Sequence, residues 1–191
     1  MLLSMIVGID EVGRGCWAGP VVAGAVLLQK PMRGLKDSKK LTRLQREMFD
    51  IRIRKAALAI GIGWVWVEEL DAIGMTEAVR LAMRRALEQI EQPYEQIIID
   101  GNYNYLKDYS MSIARIKADD SVPAVSAASI VAKVARDAWM RDIAGKFPQY
   151  GFDSHVGYGT KMHRDALAMH GVCELHRRSF LPVQSIMQTV G

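Results

Sequence analysis

Cysteine is nearly missing from this chain. Cys16 and Cys173 are the two among 191 residues, far apart and outside any Cys-x-x-Cys spacing. That excludes a disulfide framework and a cysteine-bound zinc site, and it fits a reducing compartment. No apolar run approaches the ~20 residues that span a bilayer, so no membrane segment is expected and a cytoplasmic location is. Residues 1–9 are apolar but lack a basic leader and run straight into Asp10. They predict a buried strand rather than a signal peptide. Repeats and low-complexity tracts are absent. No Gly-x-x-x-x-Gly-Lys-Ser/Thr loop occurs, which argues against nucleotide binding of that kind. The four histidines, His155, His163, His170 and His176, show no tight ligand spacing, and His163 and His170, seven apart on one helical face, are expected to be structural or solvent-facing.

What is present suits one domain over 1–191, with residues from about 150 onward as a small helical C-terminal appendage. Half of the residues are hydrophobic, enough for a substantial core. The formal net charge of +4 is compatible with a polyanionic partner without demanding one.

Periodicity places strands at about 5–12, 21–28 and 60–67, then at 97–100 and 112–116. Trp64 and Trp66 alternate on the third strand and are expected to pack on a helix. Thr42 with Gln45 forms a capping box opening a helix over about 42–59. Leu41, Leu44, Met48, Ile51 and Leu58 supply its apolar spacing. A short helical turn at 68–74 precedes a helix over about 76–90. A long helix follows over about 122–146, with Pro123 in its first turn. Its first half, Ser-Ala-Ala-Ser-Ile-Val-Ala-Lys at 126–133, is rich in small residues that would let it lie close to a sheet. Residues 161–170 and the stretch after Pro182 read as helices. An early meander followed by alternating strands and helices predicts an α/β fold, a mixed sheet with helices on both faces.

Acids sit at the ends of these strands. Asp10 and Glu11 end the first, ahead of the turn Gly13-Arg14-Gly15. Asp100 ends the fourth. Asp119 and Asp120 follow the fifth. Adjacent carboxylates at strand ends are costly unless a cation neutralises them. Oxygen donors of this kind suit Mg²⁺. Alternation along a strand would send Asp10 and Glu11 to opposite faces, so both serve one site only if the strand bends or ends there. Turn chemistry for Asp100-Gly101 and helix capping for Asp119-Asp120 are the competing readings. A binding module without chemistry would explain the basic and glycine elements but not acids at three strand ends, since carboxylates repel phosphate unless metal intervenes.

Asp-Glu-Val-Gly-Arg-Gly at 10–15, Asp-Ser-Lys-Lys-Leu at 37–41, Ile-Asp-Gly at 99–101 and Lys-Ala-Asp at 117–119 come in order along the chain. Ser-Ala-Ala-Ser-Ile-Val-Ala-Lys-Val-Ala-Arg-Asp at 126–137 and Gly-Tyr-Gly-Thr at 157–160 follow. In this order and spacing they resemble ribonuclease HII across nearly the whole chain. The resemblance implies a ribonuclease H-like fold and a metal-dependent endoribonuclease. It implies hydrolysis of RNA paired with DNA, and cutting on the 5′ side of single ribonucleotides embedded in duplex DNA. The products would carry 3′-hydroxyl and 5′-phosphate ends, through a two-metal in-line mechanism with Mg²⁺ or Mn²⁺. Asp10, Glu11, Asp100 and Asp119 match the catalytic, metal-binding acids. Gly13, Arg14 and Gly15 match the turn that reads the 2′-hydroxyl. Tyr158 matches the tyrosine that stacks at the RNA-to-DNA junction.

Lys39, Ser126 and Lys133 are further expected substrate contacts, with Lys36, Lys40, Ser38 and Ser129 as weaker ones. Asp137, four residues after Lys133, reads as its salt-bridge partner rather than as a fourth catalytic acid. Val156 stands where the family often has lysine, which removes one phosphate contact. The basic stretch at 176–180 is read as a nucleic-acid contact or as plain surface. A ribonuclease of the HIII kind, preferring long hybrids, is disfavoured by the complete Gly-Arg-Gly turn with Tyr158 and by the lack of room for an added N-terminal domain. The resemblance makes a monomer the default, and the tail at 185–191 carries no evident clamp-binding pattern.

Overall fold

The computed structural model describes residues 5–190 apart from 31, 33, 36, 37, 39 and 40. Lys36, Lys39 and Lys40 therefore lie outside the described residues. A five-stranded sheet has the order β3-β2-β1-β4-β5. Strands β1 (Ile6–Val12), β2 (Val21–Leu28) and β3 (Ala57–Val65) form an antiparallel meander. Strands β4 (Gln96–Asp100) and β5 (Ser112–Arg115) add in parallel beside β1. The mixed sheet expected from the order of elements is present, with helices on both faces.

The helices are α1 (Arg43–Ala56), α2 (Val67–Leu87), α3 (Ala118–Ser121) and α4 (Pro123–Ala144), then α5 (Phe152–His155), α6 (Lys161–His170) and α7 (Leu181–Val190). The capping box at α1 forms, with Thr42 and Gln45 bonding each other's backbone N–H. The expected turn at 68–74 and helix at 76–90 are one element, α2, kinked at Gly74 (φ 78°, ψ 164°). That conformation is open to glycine and costly for other residues.

The sheet separates two apolar layers. Val7, Ile9, Ala23, Ala25, Ile97 and Ile99 pack under α2. Val26 packs with α4 residues Ala127, Ala128, Ile130 and Val131, alongside Ile53 of α1. Close approach explains the small residues. A Cβ on Gly8 or Gly24 would run into the α4 backbone at Ala124 and Ala128, and one on Gly61 or Gly63 into the α2 backbone at Ala86 and Ala82. Gly61 and Gly63 thus let a helix seat on β3.

The apolar spacing on α1 predicts a helix correctly but the wrong buried face. Leu44, Met48 and Ile51 are exposed, while Ile53 and Asp50 are buried. The helix turns Phe49 and Ile53 toward α4, and Asp50 is neutralised by Arg54 at 2.8 Å. Trp66 is not on β3; it caps α2, stacked on Trp64 at 5.4 Å and tilted against Trp139 of α4 at 5.1 Å. No helix among the described residues is long and apolar enough to cross a membrane.

A candidate metal centre at the end of the sheet

Strand register brings the acids together. The parallel pairing of β1 with β4 runs from Ile6↔Gln96 to Ile9↔Ile99 and then stops. Asp10 and Asp100 occupy the next position on each strand, where β1 and β4 part while each keeps its other neighbour, at Gly24 and Arg115. Asp10 shares its face with Gly8, toward α4, because strand side chains alternate. From β5 the chain passes through Lys117, held left-handed at φ 56°, into α3, which carries Asp119. Asp100 accepts from the N–H groups of Ala118 (2.8 Å) and Asp119 (3.4 Å), meeting two of the unpaired donors at the start of α3. Asp100 therefore serves as a side-chain cap for α3. Carboxylate oxygens of Asp10, Asp100 and Asp119 lie within 4.8 Å of one another.

Asp10 and Asp119 are buried and Asp100 is half-buried. Burial pushes the Asp10 carboxyl well above the ordinary carboxylate range, aided by the negative charges of Glu11 and Asp100. The N–H of Glu11 at 2.8 Å and the Ser129 hydroxyl bond to it but do not offset this. Glu11 is also raised, chiefly by burial, and is drawn back by Arg14 at 3.2 Å. Glu11 lies outside the three-carboxylate cluster, on the opposite strand face. The donor set fits a hard divalent cation: all oxygen, converging, and with the Asp10 anion destabilised by burial in its absence.

The turn after β1 is built to be rigid. Gly13 has φ 93°, and a Cβ there would meet Arg136 and the Pro20 carbonyl. Arg14 is exposed, its guanidinium 5.9 Å from the centre of the Tyr105 ring. Gly15 faces open space. Cys16 pairs with Tyr158 in an isolated bridge, so the turn and the tyrosine are adjacent. Tyr158 is 38% exposed, with Lys133 over its ring at 5.1 Å and Arg136 at 6.0 Å. Burial and the nearby Cys16 thiol push its hydroxyl up to about 12.

Lys133 also bonds Asp137 at 3.0 Å, the ion pair its spacing predicts. Ser126 is buried, and its hydroxyl donates to the backbone carbonyl of Asp119, fixing the loop that carries that acid. Ser38 bonds Ser129 at 2.8 Å, so two residues read as groove lining stand directly behind Asp10. Ser129 was signalled by the small-residue stripe at 126–133, and Ser38 by the Asp-Ser-Lys-Lys-Leu motif at 37–41. Val156 is buried in the left-handed region at φ 45°, and its carbonyl accepts from Arg136.

The reading of the basic stretch at 176–180 as a nucleic-acid contact or plain surface is corrected: His176 and Arg177 are buried. His155, His163 and His176 form one buried group, with His163 Nε2 3.0 Å from His176 Nε2. The Cys173 N–H donates to His176 Nδ1, and His163 Nδ1 lies 3.0 Å from the Tyr158 carbonyl. One proton arrangement satisfies this row: His176 donates to His163, and His163 donates to Tyr158. Both rings are then neutral, and burial pushes both down to about 4.

The chain matches the family model "Ribonuclease HII" over residues 7–183. Ribonuclease HII of Delftia acidovorans (strain DSM 14801 / SPH-1) is 46% identical over 186 residues, covering 96% of this chain and 79% of that one. Ribonuclease HII of Polaromonas sp. (strain JS666 / ATCC BAA-500) is 46% identical over 188 residues, covering 97% and 94%. Among solved structures, ribonuclease H2 of Pyrococcus horikoshii OT3 superposes with a TM-score of 0.82 at 26% identity, covering 97% of this chain and 98% of that one.

Proposed function

The chain belongs to the ribonuclease HII family, and from that premise we propose that it cuts duplex DNA on the 5′ side of an embedded ribonucleotide. The coarser activity follows from membership. The protein is a metal-dependent endoribonuclease with the ribonuclease H-like fold, and its family cleaves the RNA of RNA–DNA hybrids. The observation that carries the finer reading is the convergence of Asp10, Asp100 and Asp119 beside the Gly13-Arg14-Gly15 turn and Tyr158.

In this reading Asp10, Asp100 and Asp119 hold Mg²⁺ or Mn²⁺, with Glu11 completing the set. One or two such ions, when bound there, would neutralise charge at the phosphate and activate the attacking water, as in-line displacement leaving 3′-hydroxyl and 5′-phosphate ends requires. Asp100 keeps α3 in place while it binds, so ligation and folding of the Asp119 loop are linked. Ser129 orients the Asp10 carboxylate. Backbone groups of the turn take the 2′-hydroxyl, which distinguishes RNA from DNA. Arg14 lies beside the phosphate, and Tyr158 stacks on the sugar or base that follows. Lys133 stiffens Tyr158 from behind, and the resemblance alone assigns Lys39 a contact with the phosphate backbone.

The test is a labelled DNA duplex with one ribonucleotide, incubated with Mg²⁺, with Mn²⁺ and with chelator. A metal-dependent cut on the 5′ side of the ribonucleotide is expected. Cutting confined to long RNA–DNA hybrids would overturn the finer reading and leave the family activity standing.

A further inference from the structure

Two arginines are fully buried behind the Gly13-Arg14-Gly15 turn, and both spend their hydrogen bonds on backbone carbonyls; Arg136 also lies 3.9 Å from the Asp137 carboxylate. Arg177 donates Nη1 to the Arg14 carbonyl (3.0 Å), Nε and Nη2 to the Gly19 carbonyl (2.9 and 2.8 Å), and Nη2 also to the Pro20 carbonyl (3.1 Å). Arg136 donates to the carbonyls of Pro20 (2.9 Å), Val156 (2.9 Å) and Ala18 (3.0 Å). Burial pushes the Arg177 guanidinium down to about 10. A fully buried cation is costly, so its hydrogen bonds to carbonyls must hold those carbonyls firmly in return.

The loop they grip lies between two other segments. On one side the N–H groups of Trp17 and Ala18 donate to the Gly157 carbonyl, next to Tyr158. On the other, Ala18 pairs with His176, the Arg177 N–H donates to the Trp17 carbonyl, and the Gly19 N–H donates to the Leu175 carbonyl. The second segment is anchored at the surface. Asp71 of α2 accepts from the N–H of Arg178 (2.8 Å), the N–H of Ser179 (3.1 Å) and the Ser179 hydroxyl (2.5 Å).

We propose that Arg177 is a positioning residue for ribose recognition: through the Arg14 carbonyl it holds the Gly13-Arg14-Gly15 backbone in the conformation that separates ribo- from deoxyribonucleotide. Asp71 serves the same end at one remove, by tethering the segment that carries Arg177. The inference rests on the turn reading the 2′-hydroxyl, as proposed above. Backbone recognition has no side chain to tune, so its discrimination depends on how narrowly the turn is confined.

The readout is a ratio. With Asp10→Asn present to prevent cleavage, affinity is measured for a duplex with one ribonucleotide and for the same duplex as all-DNA, in Ca²⁺. Arg177→Lys keeps the charge but loses the planar fork of donors. It is expected to lower the ribo/deoxyribo ratio about 10-fold by weakening the ribonucleotide duplex, with all-DNA affinity unchanged. Asp71→Ala, at a partly exposed position that the core does not need, is expected to lower the ratio about 3-fold. A purely structural role would lower the thermal midpoint and leave the ratio untouched. An unchanged ratio in folded Arg177→Lys overturns the assignment; if that variant does not fold, an unchanged ratio in Asp71→Ala overturns it. Failure of the underlying reading shows separately, as a parent protein with no preference for the ribonucleotide duplex.

Discussion

The two charged regions of this protein are opposites in how their charge is met. At the end of the sheet, Asp10 is buried among other acids and remains well above its ordinary pKa despite its hydrogen bonds. Fourteen residues from the end of the given sequence, Arg177 is also buried, yet surrounded by carbonyls that take its donors. The histidine row beside it is also satisfied, donor to acceptor. A region whose charges are met is a brace. A region whose charges are not met is waiting for a ligand, because an uncompensated buried carboxylate is a standing cost that only a cation or a proton removes.

The sharpest way to break the contrast is Asp10→Asn. Cleavage is expected to fall by roughly 10³-fold or more, while folding is retained. The sign of the stability change follows from the raised carboxyl. Its stabilising contribution is present below the unfolded value of 3.8 and is lost as pH rises through the higher folded value. Without divalent ions, the variant should therefore melt above the parent, by a margin that widens from pH 5 to pH 8. A less stable variant that still cleaves would sink the metal-centre reading.

Next in size is Tyr158→Ala, expected to slow cutting at a single embedded ribonucleotide by roughly 10–100-fold, the equivalent of a ~1–3 kcal/mol stack. Divalent-ion binding measured by calorimetry should be unchanged. Equal rates for variant and parent would remove the stacking role.

The histidine row sharpens the comparison from the other side. His163 and His176 are depressed from 6.5 to about 4, so the stability they contribute is whole above pH 6.5 and is lost as pH falls toward 4. Acid thus relieves one region and strains the other. His163→Gln should flatten the fall of the melting midpoint between pH 7 and pH 5; parallel curves for variant and parent would contradict the neutral row.

The smallest effect belongs to Ser126→Ala, which removes the hydroxyl holding the Asp119 carbonyl. It should cost about 1 kcal/mol in denaturant midpoint and reduce activity a few-fold.

Most of the fold was readable because period and punctuation agreed. The bounds of β1 and β2 fall within a residue of the alternation, and Thr42 with Gln45 marked the start of α1 where it occurs. The face of α1 was not readable, because a salt-bridged Asp50 is buried there while three large apolar residues are exposed. Strand-end acids were legible as a group, and three of them do converge. Their supports were not. Asp100 capping α3, and Ser38 behind Ser129, join positions 18 and 91 residues apart. Arg177 was the hardest to read. Beside Arg178 in a basic stretch it looks like surface, and its burial is decided by carbonyls 157 to 163 positions earlier.

Helix α4 has a consequence for how this protein can change. Ser126, Ser129, Lys133 and Arg136 lie at intervals of three and four residues, one stripe of the helix, and each touches a different component: the Asp119 loop, Asp10, Tyr158 and the carbonyls of the 18–20 loop. Ten residues at ~1.5 Å each set some 15 Å between cutting and reading. Side chains on that stripe can be exchanged one at a time, each with a local penalty. Adding or deleting one residue between 126 and 136 would rotate the far half by about 100° and detach half of the components at once. In lineages of this protein, α4 should therefore drift in composition while holding its length.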